Sequence, residues 1–140
     1  MYNTNGVQKL EFTKRGDERG NLVIVEGLKD IPFEIRRIFY IYGSDKNVIR
    51  GQHANRKSEF VLINIVGKSR VKIKDGKGNE EIYCLDCPYT GIYIPAMVWK
   101  DMFDFSDDSV LLVLANTKYD ENEYIRNYDD FVSEIANKNV

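Results

Sequence analysis

The sequence predicts an all-β barrel or sandwich with one short C-terminal helix, and three observations predict it. Short apolar segments alternate with turn residues at roughly 8–12-residue spacing, the rhythm of small β-barrels. Only the C-terminal end changes to a helical period. No repeat, linker or low-complexity stretch divides the chain, so residues 1–140 read as a single domain, long enough to bury a core.

The elements follow in order. Gln8–Thr13, Asn21–Glu26 and Glu34–Tyr42 are the first three strands. Glu59–Val66 (EFVLINIV) is apolar on both faces apart from Asn64, as a central strand should be. Ser69–Lys74 alternates cleanly, with Val71 and Ile73 inward and Arg70, Lys72 and Lys74 outward. Asp75-Gly76-Lys77-Gly78 is hairpin chemistry, because glycine takes positive φ freely. Glu80–Leu85, Gly91–Ile94, Val98–Phe103 and Ser109–Asn116 complete the set. Asp120 with Glu123 three residues on has the form of a capping box. Tyr124, Tyr128, Phe131 and Ile135 then recur at helical spacing, as a stripe that packs on the barrel.

Composition narrows the function classes. Net charge is −2 and the charges are interspersed, so no basic stripe exists to hold nucleic acid. No apolar run approaches the ~20 residues that span a bilayer. The start, MYNTNGVQKLEF, lacks the basic-then-apolar pattern of a signal peptide, so a cytoplasmic protein with no membrane partner is expected. Cys84 and Cys87 form a lone C-x-x-C that ends a strand and runs into Pro88. With no second pair to complete a zinc site, they read as two reduced structural thiols.

His53, in Arg50-Gly51-Gln52-His53-Ala54-Asn55, is the only histidine. One imidazole can serve as a general base near neutrality, its ordinary pKa being about 6.5. A lone histidine is more often a packed residue than a catalyst, so its neighbours decide. Arg36-Arg37 sits among Phe33, Ile35, Ile38 and Phe39, so one of the pair must face the barrel interior or rim. Arg50, Arg56 and Lys57 bracket His53. Guanidinium forks at a cavity mouth suit a diphosphate.

His53-Ala54-Asn55 with Glu59, and Pro95 with Lys100 five residues on, resemble in spacing the G-x5-H-x-H-x3-E and Pro…His metal pattern of cupin barrels. The four ligand positions are then His53, Asn55, Glu59 and Lys100. Asn is a poor transition-metal ligand and a lysine ammonium repels a cation, so neither metal nor cofactor is expected. A cation on Lys100 would instead stabilise a developing oxyanion. Lys100 lies between Trp99 and Asp101.

At this point the chain resembles a known family. Ile31-Pro32-Phe33…Arg37…Tyr40, Arg50-Gly51-Gln52-His53-Ala54, Gly91-Ile92-Tyr93-Ile94…Val98-Trp99, the run Val110–Ala115 and Tyr119-Asp120-Glu121…Tyr124-Ile125-Arg126-Asn127-Tyr128 look like the sugar-nucleotide 3,4-ketoisomerases. The likeness runs from about Phe12 to Phe131. It implies a double-stranded β-helix, the cupin jelly roll, in a homodimer with exchanged strands. It also implies a dTDP-linked 4-keto-6-deoxy sugar in the barrel, and no metal. The chemistry implied moves a ketone from C4 to C3 through an enediol, on the way to 3-amino-3,6-dideoxy sugars of O-antigens and other surface polysaccharides.

Carried over by position, His53 is the principal acid/base, with Lys100 and Asp101 as candidate catalytic partners. Arg19, Arg37, Tyr40, Arg50, Asn55, Arg56 and Trp99 become candidate substrate-binding residues. Arg19 matches the galacto pattern of product and Lys100 leans to the gluco pattern, so the configuration at C4 stays open. Several positions depart from the family: its second histidine is Asn55, a Gln is Phe60, a Tyr is Phe39, and the Pro before Trp99 is shifted. Asn55 cannot take a proton near neutral pH. Either His53 makes both transfers with Lys100 or Asp101 as partner, or the reaction differs, or the protein binds the sugar nucleotide without catalysis. An epimerase, which would need a His–Asp pair and a Tyr acid, ranks below these.

Overall fold

The computed structural model describes residues 6–138. Two five-stranded antiparallel sheets face one another. The first has the order β1 (Gln8–Glu11), β9 (Thr90–Ile94), β6 (Phe60–Val66), β11 (Val110–Ala115), β4 (Arg37–Tyr42). The second runs β12 (Tyr124–Ile125), β5 (Arg50–Asn55), β10 (Trp99–Phe103), β7 (Ser69–Lys74), β8 (Glu80–Leu85). A separate hairpin joins β2 (Thr13–Asp17) to β3 (Gly20–Ile24), and helix α1 covers Tyr128–Lys138. This is an all-β jelly roll with a short C-terminal helix.

The core lies between the sheets. Phe60, Leu62, Ile92, Ile94 and Leu111 from the first sheet meet Val71, Ile73 and Met102 from the second. β6 is central, between β9 and β11, which explains its unbroken apolar run. Phe60 and Leu62 enter the inner core, whereas Val61 and Ile63 pack outward under Phe12, Ile31 and Phe33. Its one polar residue is satisfied: buried Asn64 donates to the Ser109 hydroxyl at 2.8 Å and accepts from the Ser69 hydroxyl. The outer face of the second sheet is covered by α1, whose Phe131 and Ile135 pack on Ala54 and Trp99.

Four expectations are corrected by tertiary context. Gln8–Thr13 is not one strand: pairing with β9 ends at Glu11, Phe12 donates its N–H to the Tyr89 carbonyl, and β2 begins at Thr13. Pairing of the third strand starts only at Arg37, opposite Ala115. Arg50–Asn55, absent from the periodic segments, is a strand held by β10 on one side and β12 on the other.

The fourth correction is the helix start. Asp120 does cap, its carboxylate accepting from the Asn122 N–H at 3.0 Å, but it caps only a 3₁₀ turn, Glu121–Glu123. Tyr124 and Ile125 then pair with Asn55 and Ala54, because the edge of β5 offers unpaired backbone groups. The helix begins afresh after Asn127, whose side chain accepts from the Asp130 N–H at 3.0 Å. Cys84 and Cys87 carry no bridge.

Candidate active site

The site begins with a backbone irregularity. Gly51 has φ +83° and Gln52 φ +55°, and the β5–β10 register shifts there. Lys100 stands opposite His53, yet Asp101 stands opposite Gly51, so Gln52 is an extra residue. Such a bulge re-aims the side chains next to it. Glycine is required at 51, since a Cβ there would lie 2.9 Å from the Lys100 carbonyl oxygen and 3.0 Å from Met102 Cε. The bulge turns His53 and Asn55 inward beside Lys100, while Ala54 faces α1.

Lys100 is buried, at 3% exposure. Its Nζ donates to Asn55 Oδ1 at 3.2 Å and sits 4.6 Å from the centre of the Phe60 ring. Burial pushes the ammonium down from 10.5 to about 7, with the Glu123 carboxylate pulling the other way. His53 packs edge-on against Tyr124, ring centres 4.9 Å apart, and its Nδ1 has no hydrogen-bond partner among the described residues. Burial, then the charges of Lys100 and Arg126, push the imidazole from 6.5 to about 3. His53 is therefore neutral at physiological pH, as a base must be. Lys100 is poised where it both gives and takes a proton.

Glu123 closes the arrangement from the 3₁₀ turn. Its carboxylate accepts from the Lys57 and Ser58 N–H groups, each at 2.9 Å, and from the Ser58 hydroxyl. Burial alone would raise this carboxyl, but the Ser58 and Lys57 donors, with the Asn55 amide beside it, outweigh burial and hold it below the usual range. Asn55 Nδ2 stays outside strict hydrogen-bond geometry. A buried anion, an amide and a buried cation thus stand in a row behind His53.

These groups open on a cavity of about 210 Å³ between the sheets. Phe39, Phe60, Met102 and Tyr124 supply much of its wall, and Tyr40, Arg50 and Gly51 also line it. Arg37 adjoins it: its guanidinium carbon lies 5.5 Å from the Phe39 ring and 5.8 Å from the Phe60 ring. Nε and Nη2 of Arg37 are buried without a partner among the described residues, a costly state that an anion would relieve. The neighbouring Arg36 points outward to Glu34.

The structure gathers His53, Lys100, Asn55, Arg37, Tyr40 and Arg50 about one cavity and leaves the other four candidates outside it. Trp99 and Asp101 flank Lys100 in β10, and the two-residue period of a strand turns both to the opposite face. Trp99 packs on Tyr128 and Phe131 of α1. Arg56 lies past the end of β5, where its fork meets Glu134 of α1 in two bonds of 2.9 Å. Arg19 sits at the exposed tip of the β2–β3 hairpin, paired with Asp17 at 2.7 Å.

Glu59 is likewise engaged elsewhere, with Tyr93 and Asn116, so the cupin ligand positions do not assemble a donor set. No group of three or more His, Cys, Asp or Glu among the described residues could hold a metal. Sequence reasoning missed Glu123 and Ser58 as parts of the site. The available signal was Glu123 itself, an acid just before the Tyr-Ile pair, which the capping reading absorbed.

A jelly roll whose inner face carries a neutral imidazole, a buried ammonium and a guanidinium with unpaired nitrogens defines a cupin-type protein built for acid–base work on an anionic small molecule. The chain belongs to the WxcM-like, C-terminal family (FdtA), whose model matches residues 5–136. It is 45% identical over 131 residues to the TDP-4-oxo-6-deoxy-alpha-D-glucose-3,4-oxoisomerase of Aneurinibacillus thermoaerophilus, covering 94% of each chain. Among solved structures it is similar to a histidine-to-asparagine variant of the 3,4-ketoisomerase QdtA from Thermoanaerobacterium thermosaccharolyticum in complex with TDP-4-keto-6-deoxyglucose. That pair has a TM-score of 0.92, 40% identity and 96% coverage of both chains. It is also similar to the TDP-fucose-3,4-ketoisomerase WlaRA from Campylobacter jejuni, with a TM-score of 0.88, 41% identity and coverage of 94% and 97%.

Proposed function

We propose that this chain is a metal-independent 3,4-ketoisomerase that moves the ketone of a dTDP-4-keto-6-deoxyhexose from C4 to C3. The observation that carries the reading is the facing pair His53 and Lys100, a base held neutral and a cation held at its titration point, on one cavity wall. Neutral His53 takes the C3 proton. Charge then develops on O4, where the ammonium of Lys100 stabilises it in a site of low dielectric. Arg37 and Arg50 suit the diphosphate, which neutralises the buried guanidinium.

A cavity of about 210 Å³ is smaller than the ~300–1,000 Å³ that encloses whole drug-sized ligands, so it takes the sugar ring and leaves the nucleotide at the mouth. Retention of an uncharged base and a cation in that cavity supports catalysis over binding alone.

Residues 1–140 act as one catalytic domain in this reading. A homodimer is part of this reading, with the exposed edge strand β4, where Ile38, Tyr40 and Tyr42 stand open, as the surface offered to a second copy of the chain. No helix among the described residues is long and apolar enough to cross a membrane. The 3-keto product is the substrate an aminotransfer step requires, which supports a part for the enzyme in cytoplasmic synthesis of 3-amino-3,6-dideoxy sugars for surface polysaccharides.

Incubation with TDP-4-keto-6-deoxyglucose in D₂O, followed by NMR, tests the reading. The 3-keto product should form with native protein and not with His53→Asn. No 3-keto product with native protein, or undiminished turnover in the variant, refutes it.

A further inference from the structure

The isomerisation relocates two hydrogens, one from C3 to C4 and one from O3 to O4. One imidazole is present for two jobs, and Asn55, which neighbours it, cannot ionise. The charged or titratable groups around Lys100 are His53 and Arg50 on β5, Arg37 on β4 behind Phe60, Tyr124 on β12, and Glu123 on the 3₁₀ turn. Of these, Glu123 is committed to Lys57 and Ser58, and the guanidiniums do not release protons.

We propose that His53 carries the carbon-bound proton from C3 to C4 on one ring face, while Lys100, held by Asn55 beside the buried Glu123 carboxylate, carries the other proton between O4 and O3. This deepens the ketoisomerase reading and rests on it.

The steps balance without a further reactant. The C3–H bond breaks toward His53, its electrons form C3=C4, and O4 takes a proton from the Lys100 ammonium. The neutral enediol then loses its O3 proton to the Lys100 amine as C3=O forms. C4 takes the proton back from the His53 imidazolium, and both groups end as they began. A lysine near neutrality suits both halves of the oxygen-side exchange, as a group of pKa ~7 gives and accepts protons with little penalty. Glu123 touches no reacting atom. It is a positioning residue, fixing Asn55 and favouring the charged form of Lys100.

Proton return by the same imidazole fixes the configuration of the product. In the gluco-configured substrate the C3 hydrogen lies on one face of the ring. A single imidazole that returns the proton from that same face leaves the C4 hydrogen on the same side that the C3 hydrogen left. That is the galacto arrangement. A gluco product requires delivery from the opposite face by a second group.

NMR assignment of the 3-keto product made by native protein gives the first result: a galacto product is expected, and a gluco product overturns the proposal. Lys100→Arg keeps the cation but cannot shuttle a proton, so turnover should fall at least a hundredfold. Turnover within threefold of native would mean that Lys100 only stabilises charge, again overturning it. Glu123→Gln should move the alkaline limb of kcat/KM, set by loss of the Lys100 proton, down by about one pH unit. An unmoved limb removes Glu123 from the scheme. Should Glu123→Gln fail to fold, product configuration and Lys100→Arg still decide the matter. If native protein forms the 3-keto product and His53→Asn does not, while these results fail, the ketoisomerase reading stands and only the division of labour falls.

Discussion

Lys100→Met should make the protein more stable at neutral pH while removing activity. The folded state lowers this lysine from 10.5 to about 7 because it is buried under Phe60 with one amide acceptor. A lowered pKa in the folded state means that the unfolded chain binds more protons between these values, so stability is lost as pH falls from 10.5 toward 7. Integrated over that window, the penalty is about 4 kcal/mol at pH 7, about 2 at pH 9 and under ~0.5 at pH 10.5. Methionine fills a similar volume without charge. It leaves Asn55 Oδ1 without its donor, at a cost of ~1 kcal/mol. The net gain is then about 3 kcal/mol at pH 7, fading to nothing near pH 10, where the order of stabilities reverses.

Urea denaturation of both proteins at fixed protein concentration, from pH 6 to 10.5, reads this difference directly. At pH 7 the variant should melt higher by about 10 °C. A variant less stable than native at pH 7, or a difference that does not change between pH 7 and 10, would refute the account of Lys100 as a desolvated cation. It would also remove the physical ground for a proton shuttle.

Three other outcomes follow. Gly51→Ala places a Cβ 2.9 Å from the Lys100 carbonyl at φ +83°, so stability should fall by about 2 kcal/mol in denaturant titration, with activity lost beyond the stability loss as the bulge shifts. Arg56→Ala removes the fork to Glu134; this half-exposed pair is worth at most ~1 kcal/mol, diminishing with salt, and KM for the sugar nucleotide should not change. His53 is lowered from 6.5 to about 3 on folding, so native protein loses stability as pH falls through that window, and His53→Gln should be up to about 3 kcal/mol more stable than native near pH 4 by denaturant titration.

The fold was legible because a β-barrel advertises itself by period and by turns. Val71 and Ile73 face the core with Arg70, Lys72 and Lys74 turned away, and β6 lies in mid-sheet as its apolar run requires. What sequence pattern could not carry was competition between partners. Tyr124 has the spacing of a helical residue, but the edge of β5 offers it backbone hydrogen bonds that a first helical turn would leave unmade. Arg50–Asn55 has no apolar alternation because its inner face is polar chemistry and its outer face is a single alanine under α1.

The site was half legible for a related reason. Strand parity alone separates Lys100 from Trp99 and Asp101: knowing that Lys100 faces inward already sends its neighbours outward. Applied to β5 the same rule fails, since the bulge at Gly51-Gln52 breaks parity between Arg50 and His53, and only positive φ at two successive residues reveals it. Glu123 was illegible because its role depends on Lys57 and Ser58, far away in sequence, turning their N–H groups toward it. The same distance bears on how one imidazole would suffice in the proposed scheme. Asn55 in place of a second histidine looks like loss when only the chain is considered. In three dimensions Asn55 stands between a buried carboxylate and a buried lysine, bonded to the lysine, and the apolar rings of Phe39 and Phe60 close the wall around them. Phe60, its ring 4.6 Å from Nζ, helps to bury Lys100, and desolvation is what brings a lysine near neutrality. In the proposed scheme, proton-transfer capacity missing at Asn55 is therefore supplied at Lys100, by residues that on sequence grounds count only as departures.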